Sequence, residues 1–303
     1  MTTNLVTALE AIPDLKVRTD VPLAKLTTFK IGGPAKVLVT PGSEEALQRA
    51  MLEIGESGLD SVILGNGSNF LISDAGFDGV VIRVGSALGA IEEDGPDVLR
   101  LGAGALWSRV LRFILKEGWT GLEFGAGIPG TLGGAIATNA GTRGGETADS
   151  LIDVRGVNRA GELVTMTKDE IPFVYRRGDL PEGFVVTSTR FRVGREDPAK
   201  VNETVRGYQA ERRRDQPERE PSAGCMFKNP PGTSAGKLID QAGLKGEGEG
   251  GVVVSEVHGN FFINRGDATA SDVLRLMERV QEIVKREYGV DLEPEVRGIG
   301  VTL

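Results

Sequence analysis

The sequence predicts an α/β (α+β) protein of two domains, and three observations carry that expectation. Strand-like and helix-like apolar periodicities alternate from residue 27 to 195 with no linker between them. A polar break near 194–203 is followed by about a hundred residues with strand and helix patterns of their own. Between them, residues 121–145 read GLEFGAGIPGTLGGAIATNAGTRGG, with Glu123 the only charge before Arg143. The expected division is therefore 1–195, in two subdomains of roughly 1–85 and 86–195, and 196–303.

The elements follow in order. In TTFKIGGPAKVLVTPGS, residues 27–43, Gly32, Gly33 and Pro34 set a turn and 35–40 alternate as a strand. Ser43 is placed to cap a helix with Glu44 and Glu45 in its first turn. Ala46, Leu47, Ala50, Met51 and Ile54 form its inward stripe, and Gly58 lies past its end. Residues 62–64 make a short strand leading into Gly65-Asn66-Gly67-Ser68-Asn69. That turn is either a nest of backbone N–H groups for phosphate oxygens or a plain polar hairpin. No Lys-Ser/Thr pair follows, so it is not a P-loop.

Residues 79–84 and 98–103 read as strands around an acidic hairpin. A helix is expected over 106–116, with Leu106, Val110, Ile114 and Leu115 inward and Gly118 ending it. Past the glycine stretch, 151–157 and 162–166 form a hairpin through 158–161, and 184–193 is a long strand. Beyond the break come a polar helix to about Arg214, a loop punctuated by proline and a strand over 260–264. A helix over 269–288 carries Val273, Leu276, Met277, Val280 and Val284 on one face, Gly289 stops it, and a last strand lies around 290–300.

A net charge of −8 gives no electrostatic footprint for nucleic acid. One cysteine allows no internal disulfide, and one histidine, His258, argues against a His/Cys metal site. The first residues lack a basic region followed by an apolar run, and no stretch approaches a membrane span. The expectation is a soluble cytoplasmic protein with small-molecule ligands and neither nucleic-acid nor membrane partners. A monomer is favoured, although the sequence does not fix the oligomeric state.

Within the glycine stretch Gly125, Gly127 and Gly130 spell G-x-G-x-x-G, with Asp149 beyond. Pro129, Gly133, Gly134 and Gly141 crowd the place where the following helix of a dinucleotide-binding βαβ unit should run, which argues against that unit. Two readings remain: a tight packing corner, or a bed where backbone approaches a large flat or phosphorylated cofactor. Length and density favour the bed.

Three stretches, TFKIGGPA, LGNGSNFLI and GIPGTLGGAIATNAG, resemble the two-part FAD-binding domain of the vanillyl-alcohol oxidase type. With FVYR, PSAGCMFKNP, SEVHGNFFIN and LEPEVRGIG added, nearly the whole chain resembles the UDP-N-acetylenolpyruvoylglucosamine reductase family, in its compact variety lacking an extra tyrosine-bearing substrate loop. The resemblance implies a smaller α/β substrate domain after the FAD domain, non-covalent FAD and NADPH as co-substrate. It implies reduction of the enolpyruvyl group of a UDP-sugar, giving UDP-N-acetylmuramate for peptidoglycan precursor synthesis.

By motif, the resemblance puts the catalytic roles on Arg176, Cys225 and Glu295. Cofactor contacts fall on Gly65, Asn66, Gly67, Ser68, Asn69, Ile128, Pro129, Gly130, Gly133, Gly134, Asn139, Gly141 and Arg297. Substrate contacts fall on Tyr175, Arg213, Lys228, Asn229, Lys237 and His258, and no metal is implied. The chemistry suits those types. An arginine fork can hold the carboxylate that takes up electrons when hydride reaches the enol ether, a carboxylic acid can share the developing charge, and a thiol can protonate the α-carbon.

Bland readings stand beside these. Arg176 and Arg177 are adjacent and either could be a surface residue; a lone cysteine is by default a buried small hydrophobe; His258 is structural or a substrate neighbour. Glu293 and Glu295 share a face if their strand is regular. The family usually has serine where Cys225 stands and again two places after the arginine, where this chain has Gly178. The competing functions are another flavoprotein of the same FAD fold, of 2-hydroxy-acid dehydrogenase type, and a non-catalytic nucleotide-binding protein.

The only residues able to tether a flavin through histidine or cysteine, His258 and Cys225, both fall in the expected substrate domain. Acid precipitation is therefore expected to leave the yellow colour in the supernatant. Colour retained in the protein pellet would overturn non-covalent binding.

Overall fold

Local signals in the sequence become helix ends in the computed structural model, which describes residues 2–217 and 220–303. Glu218 and Arg219, part of the proline-punctuated loop read from the sequence, lie outside the described residues. Ser43 accepts a hydrogen bond from the Ala46 N–H and starts the helix Glu44–Ser57, which buries the five residues of the expected stripe. Gly58 ends it at φ 67, where a side chain would be strained. Thr269 and Asp272 close a reciprocal capping box at the start of Ala270–Tyr288, and Gly289 stops that helix. Its buried face contains Val273, Leu276, Met277, Val280 and Val284, as the 3.6-residue period predicts.

Long-range pairing sorts the chain into two units that are discontinuous in sequence. The first comprises Met1–Thr19, Val37–Asn66 and Gly79–Glu211; the second, Asp20–Lys36, Gly67–Asp78 and Arg212–Leu303. The division expected at 195/196 does not coincide with these units. The helix Pro198–Asp215 buries Val201 and Val205, and Val205 packs in the core of the first unit. Conversely Phe70–Ile72 pairs in parallel with Arg297–Ile299, while Phe29, Ile31 and Leu71 pack in the core of the second.

The first unit is built mainly on two sheets. In one, Leu15–Pro22, Pro34–Pro41, Phe77–Arg83 and Ser61–Leu64 lie in that spatial order, the last two parallel. The other runs Leu163–Thr167, Leu151–Val157, Val185–Arg192, Val98–Gly102, Ile91–Glu93, all antiparallel. Trp107, Trp119 and Phe191 are fully buried in its core. The second unit packs the helices Ala235–Gln241 and Ala270–Tyr288 with a sheet of Gly248–Glu249, Val252–Val254 and Phe262–Asn264, and with the Phe70–Ile72/Arg297–Ile299 pair. Asp74 accepts hydrogen bonds from the Ala270 and Ser271 N–H groups, satisfying donors at the start of the long helix from almost two hundred residues away in sequence.

Three expectations need correction. The helix expected from 106 is Trp107–Glu117; Leu106 is its extended N-cap and is exposed, so Trp107, Val110, Leu111 and Ile114 form the buried stripe, and Leu115 is half-buried. The glycine stretch contains a genuine helix, Leu132–Thr138, because burial of Leu132, Ala135 and Ile136 outweighs the cost of Gly133 and Gly134. The last strand is Arg297–Ile299 only; around Pro294 the chain makes a single bridge to Phe227. No helix among the described residues is long and apolar enough to cross a membrane.

A polar contact ties the helix Glu44–Ser57 to the five-stranded sheet. Glu44 accepts hydrogen bonds from Arg155 and Thr187. Burial opposes its ionisation, but those bonds and the Arg155 and Arg100 charges outweigh burial and hold its carboxyl below the usual range. A carboxyl depressed in the folded state adds stability above its unfolded pKa of about 4.3 and loses it as pH falls through the folded value. Glu44→Gln is expected to cost about 1 kcal/mol or less at pH 7, since both side chains are partly exposed. The gap between urea titrations of the two proteins should begin to narrow as pH falls below that unfolded value and close as it passes the folded one; a gap that widens on acidification would contradict this account.

Candidate functional site

In the first unit the expected cofactor and arginine residues meet around the short helix Leu132–Thr138. The glycines of the G-x-G-x-x-G spelling serve packing and backbone geometry there. A Cβ on Gly125 would enter the Trp107 ring, and Gly127 and Gly130 adopt φ 80 and 123. Nor does a strand-then-long-helix unit surround them: Glu123–Gly125 is a 3₁₀ turn. Gly133 sits against Ala103, a Cβ there lying 3.1 Å from the Ala103 Cβ, and Gly141 is closed in by Gly145 and Glu146. The packing-corner reading accounts for these positions.

Gly134 is different. It is exposed, mid-helix, and a Cβ there would meet only Thr131 Oγ1, at 3.6 Å. A helix-interior glycine costs up to about 1 kcal/mol relative to alanine. Nothing in the protein's own packing demands that bare backbone, which is what a flat ligand lying on the helix would need. Ile128 is half-buried and Pro129 exposed just before this helix. At the end of Ser61–Leu64, a Cβ on Gly65 would strike Thr131 Oγ1, and among the described residues the N–H groups of Gly65 and Asn66 find no acceptor. Free donors at a glycine turn fit the phosphate-nest reading better than a plain hairpin.

Asn139, an expected cofactor contact, is held from within the protein. It ends the helix at φ 42 and is 1% exposed, with Nδ2 donating to the Val174 carbonyl (3.3 Å) and Oδ1 accepting from the Ala148 N–H (3.1 Å).

The strands Phe173–Val174 and Arg177–Gly178 form a hairpin whose two-residue turn is Tyr175-Arg176. Arg176 takes φ 61, a region in which a bulky side chain costs about 1–3 kcal/mol. It is half-buried, donates to the Gly141 carbonyl at 3.1 Å and lies over the exposed Tyr175 ring. Arg177 is exposed and pairs with Asp179. The structure thus separates the two arginines that adjacency in sequence leaves ambiguous. A Cβ on Gly178 would run into the Ile136 carbonyl, so the serine usual at that place has no room here.

In the second unit the backbone joins the other expected residues. Glu295 N–H donates to the Met226 carbonyl (2.8 Å) and Lys228 N–H to the Glu293 carbonyl (2.8 Å), while Cys225 bridges Phe261. Asn260, absent from the sequence-based assignment, holds this junction. It is 1% exposed; its Oδ1 accepts from Phe227 N–H and its Nδ2 donates to the Phe227 carbonyl, at 2.9 and 2.7 Å. An asparagine set among the apolar residues of HGNFFIN was the available signal. Asn69 donates to the Glu295 carbonyl (3.2 Å) and accepts from Arg297 N–H (3.0 Å), so Asn69, Cys225, Glu295 and Arg297 share one hydrogen-bonded framework. Gly67 is buried in the same unit and shaped by its own packing, since a Cβ would meet the Leu26 carbonyl; Ser68 beside it is half-buried.

Glu293 is exposed and pairs with Lys228 at 3.1 Å, whereas Glu295 is half-buried. Asn229 accepts from Ala235 N–H, while Lys237 and Arg213 are exposed on their helices. His258 Nδ1 accepts from Asn260 N–H, leaving Nε2 to carry the proton of the neutral ring. Burial first, then the Lys245 charge, push its pKa below the usual value, against smaller opposing effects of Asp215 and Asp240.

Comparison with known proteins places this geometry. The profile of the FAD binding domain family matches residues 35–167, and the berberine bridge enzyme from Eschscholzia californica, 17% identical, shares the fold with a TM-score of 0.50 over 64% of this chain and 44% of that one. The fold class is that of FAD-binding proteins of the vanillyl-alcohol oxidase and berberine-bridge type.

The profile of the UDP-N-acetylenolpyruvoylglucosamine reductase C-terminal domain matches residues 216–299. Relatives of that name from Agathobacter rectalis and Rhodopseudomonas palustris are 40% and 44% identical, each over 96% of this chain and over 96% and 95% of their own lengths. A crystal structure of UDP-N-acetylenolpyruvylglucosamine reductase from Thermus caldophilus superposes with a TM-score of 0.82, at 38% identity, covering 94% of this chain and 98% of that one. The chain belongs to the UDP-N-acetylenolpyruvoylglucosamine reductase family.

Gly134→Val is expected to fold as well as the parent protein, measured on the apoprotein, yet to purify without flavin colour. Gly125→Ala should instead lower stability by about 1–3 kcal/mol through overpacking against Trp107. Full FAD occupancy in Gly134→Val would remove the helix from the flavin site.

Proposed function

We infer that the protein is an NADPH-dependent flavoenzyme that reduces the enolpyruvyl group of UDP-N-acetylglucosamine enolpyruvate to UDP-N-acetylmuramate. It thereby serves peptidoglycan precursor synthesis, in the cytoplasm. The Gly134 face of the short helix and the Gly65-Asn66 turn are the positions that fit the cofactor best. FAD held there would supply the hydride relay between NADPH and the β-carbon of the substrate.

The chain's own residues handle the charge and the proton. As hydride adds to the β-carbon, the electron pair of the double bond moves toward the substrate carboxylate. Arg176 is the group assigned to hold that carboxylate, because a guanidinium can meet two oxygens at once. Glu295 is assigned to share the developing charge, and Cys225 to give its proton to the α-carbon, completing a lactyl ether. Tyr175, Lys228, Asn229, Lys237, Arg213 and His258 are the assigned substrate contacts, His258 as a neutral donor through Nε2. One observation carries these assignments furthest. The arginine occupies a strained turn position that a glycine or asparagine would fill at lower cost, so the side chain itself is what the turn retains.

The test is an anaerobic two-step titration followed by stopped flow. NADPH should bleach the visible flavin band, and the enolpyruvyl UDP-sugar should restore it. Cys225→Ala should leave the bleaching rate unchanged and slow the restoration by on the order of 10²–10⁴, the usual scale for losing a general acid. Cys225→Ser should keep substantial activity. Equal slowing of both steps, or of neither, would take Cys225 out of the reaction; bleaching that the UDP-sugar never reverses would point to a different flavoenzyme.

A further inference from the structure

The geometry points to Asn139 as the positioning residue that registers the Arg176 turn on the Leu132–Thr138 helix; this rests on the role assigned to Arg176 above. Three contacts join the hairpin to the helix end, all within one unit. Asn139 Nδ2 donates to the Val174 carbonyl, immediately before the turn. Arg176 Nη1 donates to the Gly141 carbonyl, two residues past Asn139. Gly178, just after the turn, lies so close to the Ile136 carbonyl that a Cβ would not fit. The other end of the Asn139 amide is fixed as well, since Oδ1 accepts from Ala148 N–H and the residue is 1% exposed.

The chemistry explains why such a brace is needed. A two-residue turn joining strands of two residues has few hydrogen bonds of its own and carries a residue at φ 61. Left to itself it would relax the strained arginine and let the guanidinium wander. A buried amide can prevent this because it bonds in both directions, to Val174 on one side and Ala148 on the other. The bond from Ala148 is buried and the one to Val174 part-buried; losing a buried one costs about 1–3 kcal/mol. The helix that exposes Gly134 and the turn that carries Arg176 therefore move as one piece. An arginine displaced by about an ångström would cost on the order of 10² in rate.

The variants Asn139→Gly and Asn139→Asp dissect this. Glycine adopts φ 42 without strain, so Asn139→Gly keeps the helix end and removes both side-chain bonds. Asn139→Asp keeps the acceptor for Ala148 and replaces the donor to Val174 by a carboxylate oxygen, which repels that carbonyl instead of bonding to it. If the first loses the fold, the second carries the test with the same readouts. Four quantities are read: FAD affinity of the apoprotein, the rate of flavin bleaching by NADPH, UDP-sugar affinity from the perturbed flavin spectrum without NADPH, and the rate of flavin recovery.

Both variants should keep FAD affinity and the bleaching rate, while binding the UDP-sugar more weakly and recovering roughly 10–100-fold more slowly per flavin. A merely structural asparagine would lower thermal stability and leave the per-flavin rates unchanged. That result, or a normal recovery rate in Asn139→Asp, overturns the proposal. Arg176→Ala in parallel separates the two claims. If it too recovers normally, the role of Arg176 has failed; if it is slow and Asn139→Asp is not, only the positioning role has.

Discussion

The assignments in the second unit depend on one backbone junction, in which the Met226–Lys228 segment exchanges hydrogen bonds with 293–295. Each side lacks a full strand to stabilise it; Phe227 and Pro294 make a single bridge. What fixes the register is the buried Asn260 amide, which matches donor to acceptor and acceptor to donor on Phe227, with the Phe227 ring packed edge-on against Phe262. A slip of one residue would leave that amide unsatisfied in the interior, at a cost comparable with a large core mutation. The same exchange carries Cys225 and Glu295 on adjacent segments, and Asn69 bonds in turn to Glu295 and Arg297.

Regular elements were the most legible part of the sequence. The helix Ala270–Tyr288 could be read to within a residue because its apolar period and its terminal glycine agree. Glu44–Ser57 was legible for the same reasons. The glycine stretch was harder, because one residue type records several different demands. Gly125 yields to an indole ring, Gly127 to its backbone angle, and only Gly134 presents bare backbone without a protein reason. Sequence density cannot separate those causes.

The candidate site was legible as residue types and much less as relations. Motif resemblance selected Arg176 and Glu295, but only the folded chain supplies a physical reason. Arg177 and Glu293 are exposed and engaged in ion pairs, while their counterparts are half-buried. Asn139 shows a relation that the motif did not carry. The ATNAG run suggested contact with a cofactor, and the folded chain adds a φ of 42 and two internal bonds that make it a corner post. Polar residues that serve the backbone look, in one dimension, the same as those that serve a ligand.

The interleaving of the two units has a consequence for how the chain is made. Residues 20–36 and 67–78 leave the ribosome early, yet the partners that complete their unit, beginning at Arg212, arrive last. Until then Phe29, Ile31 and Leu71 have no core to enter, and the edge at Phe70–Ile72 waits for Arg297–Ile299. Closing loops of that length is entropically slow and leaves apolar strand edges uncovered meanwhile. The nascent polypeptide therefore carries a long window of aggregation risk, one that only the final hundred residues can close.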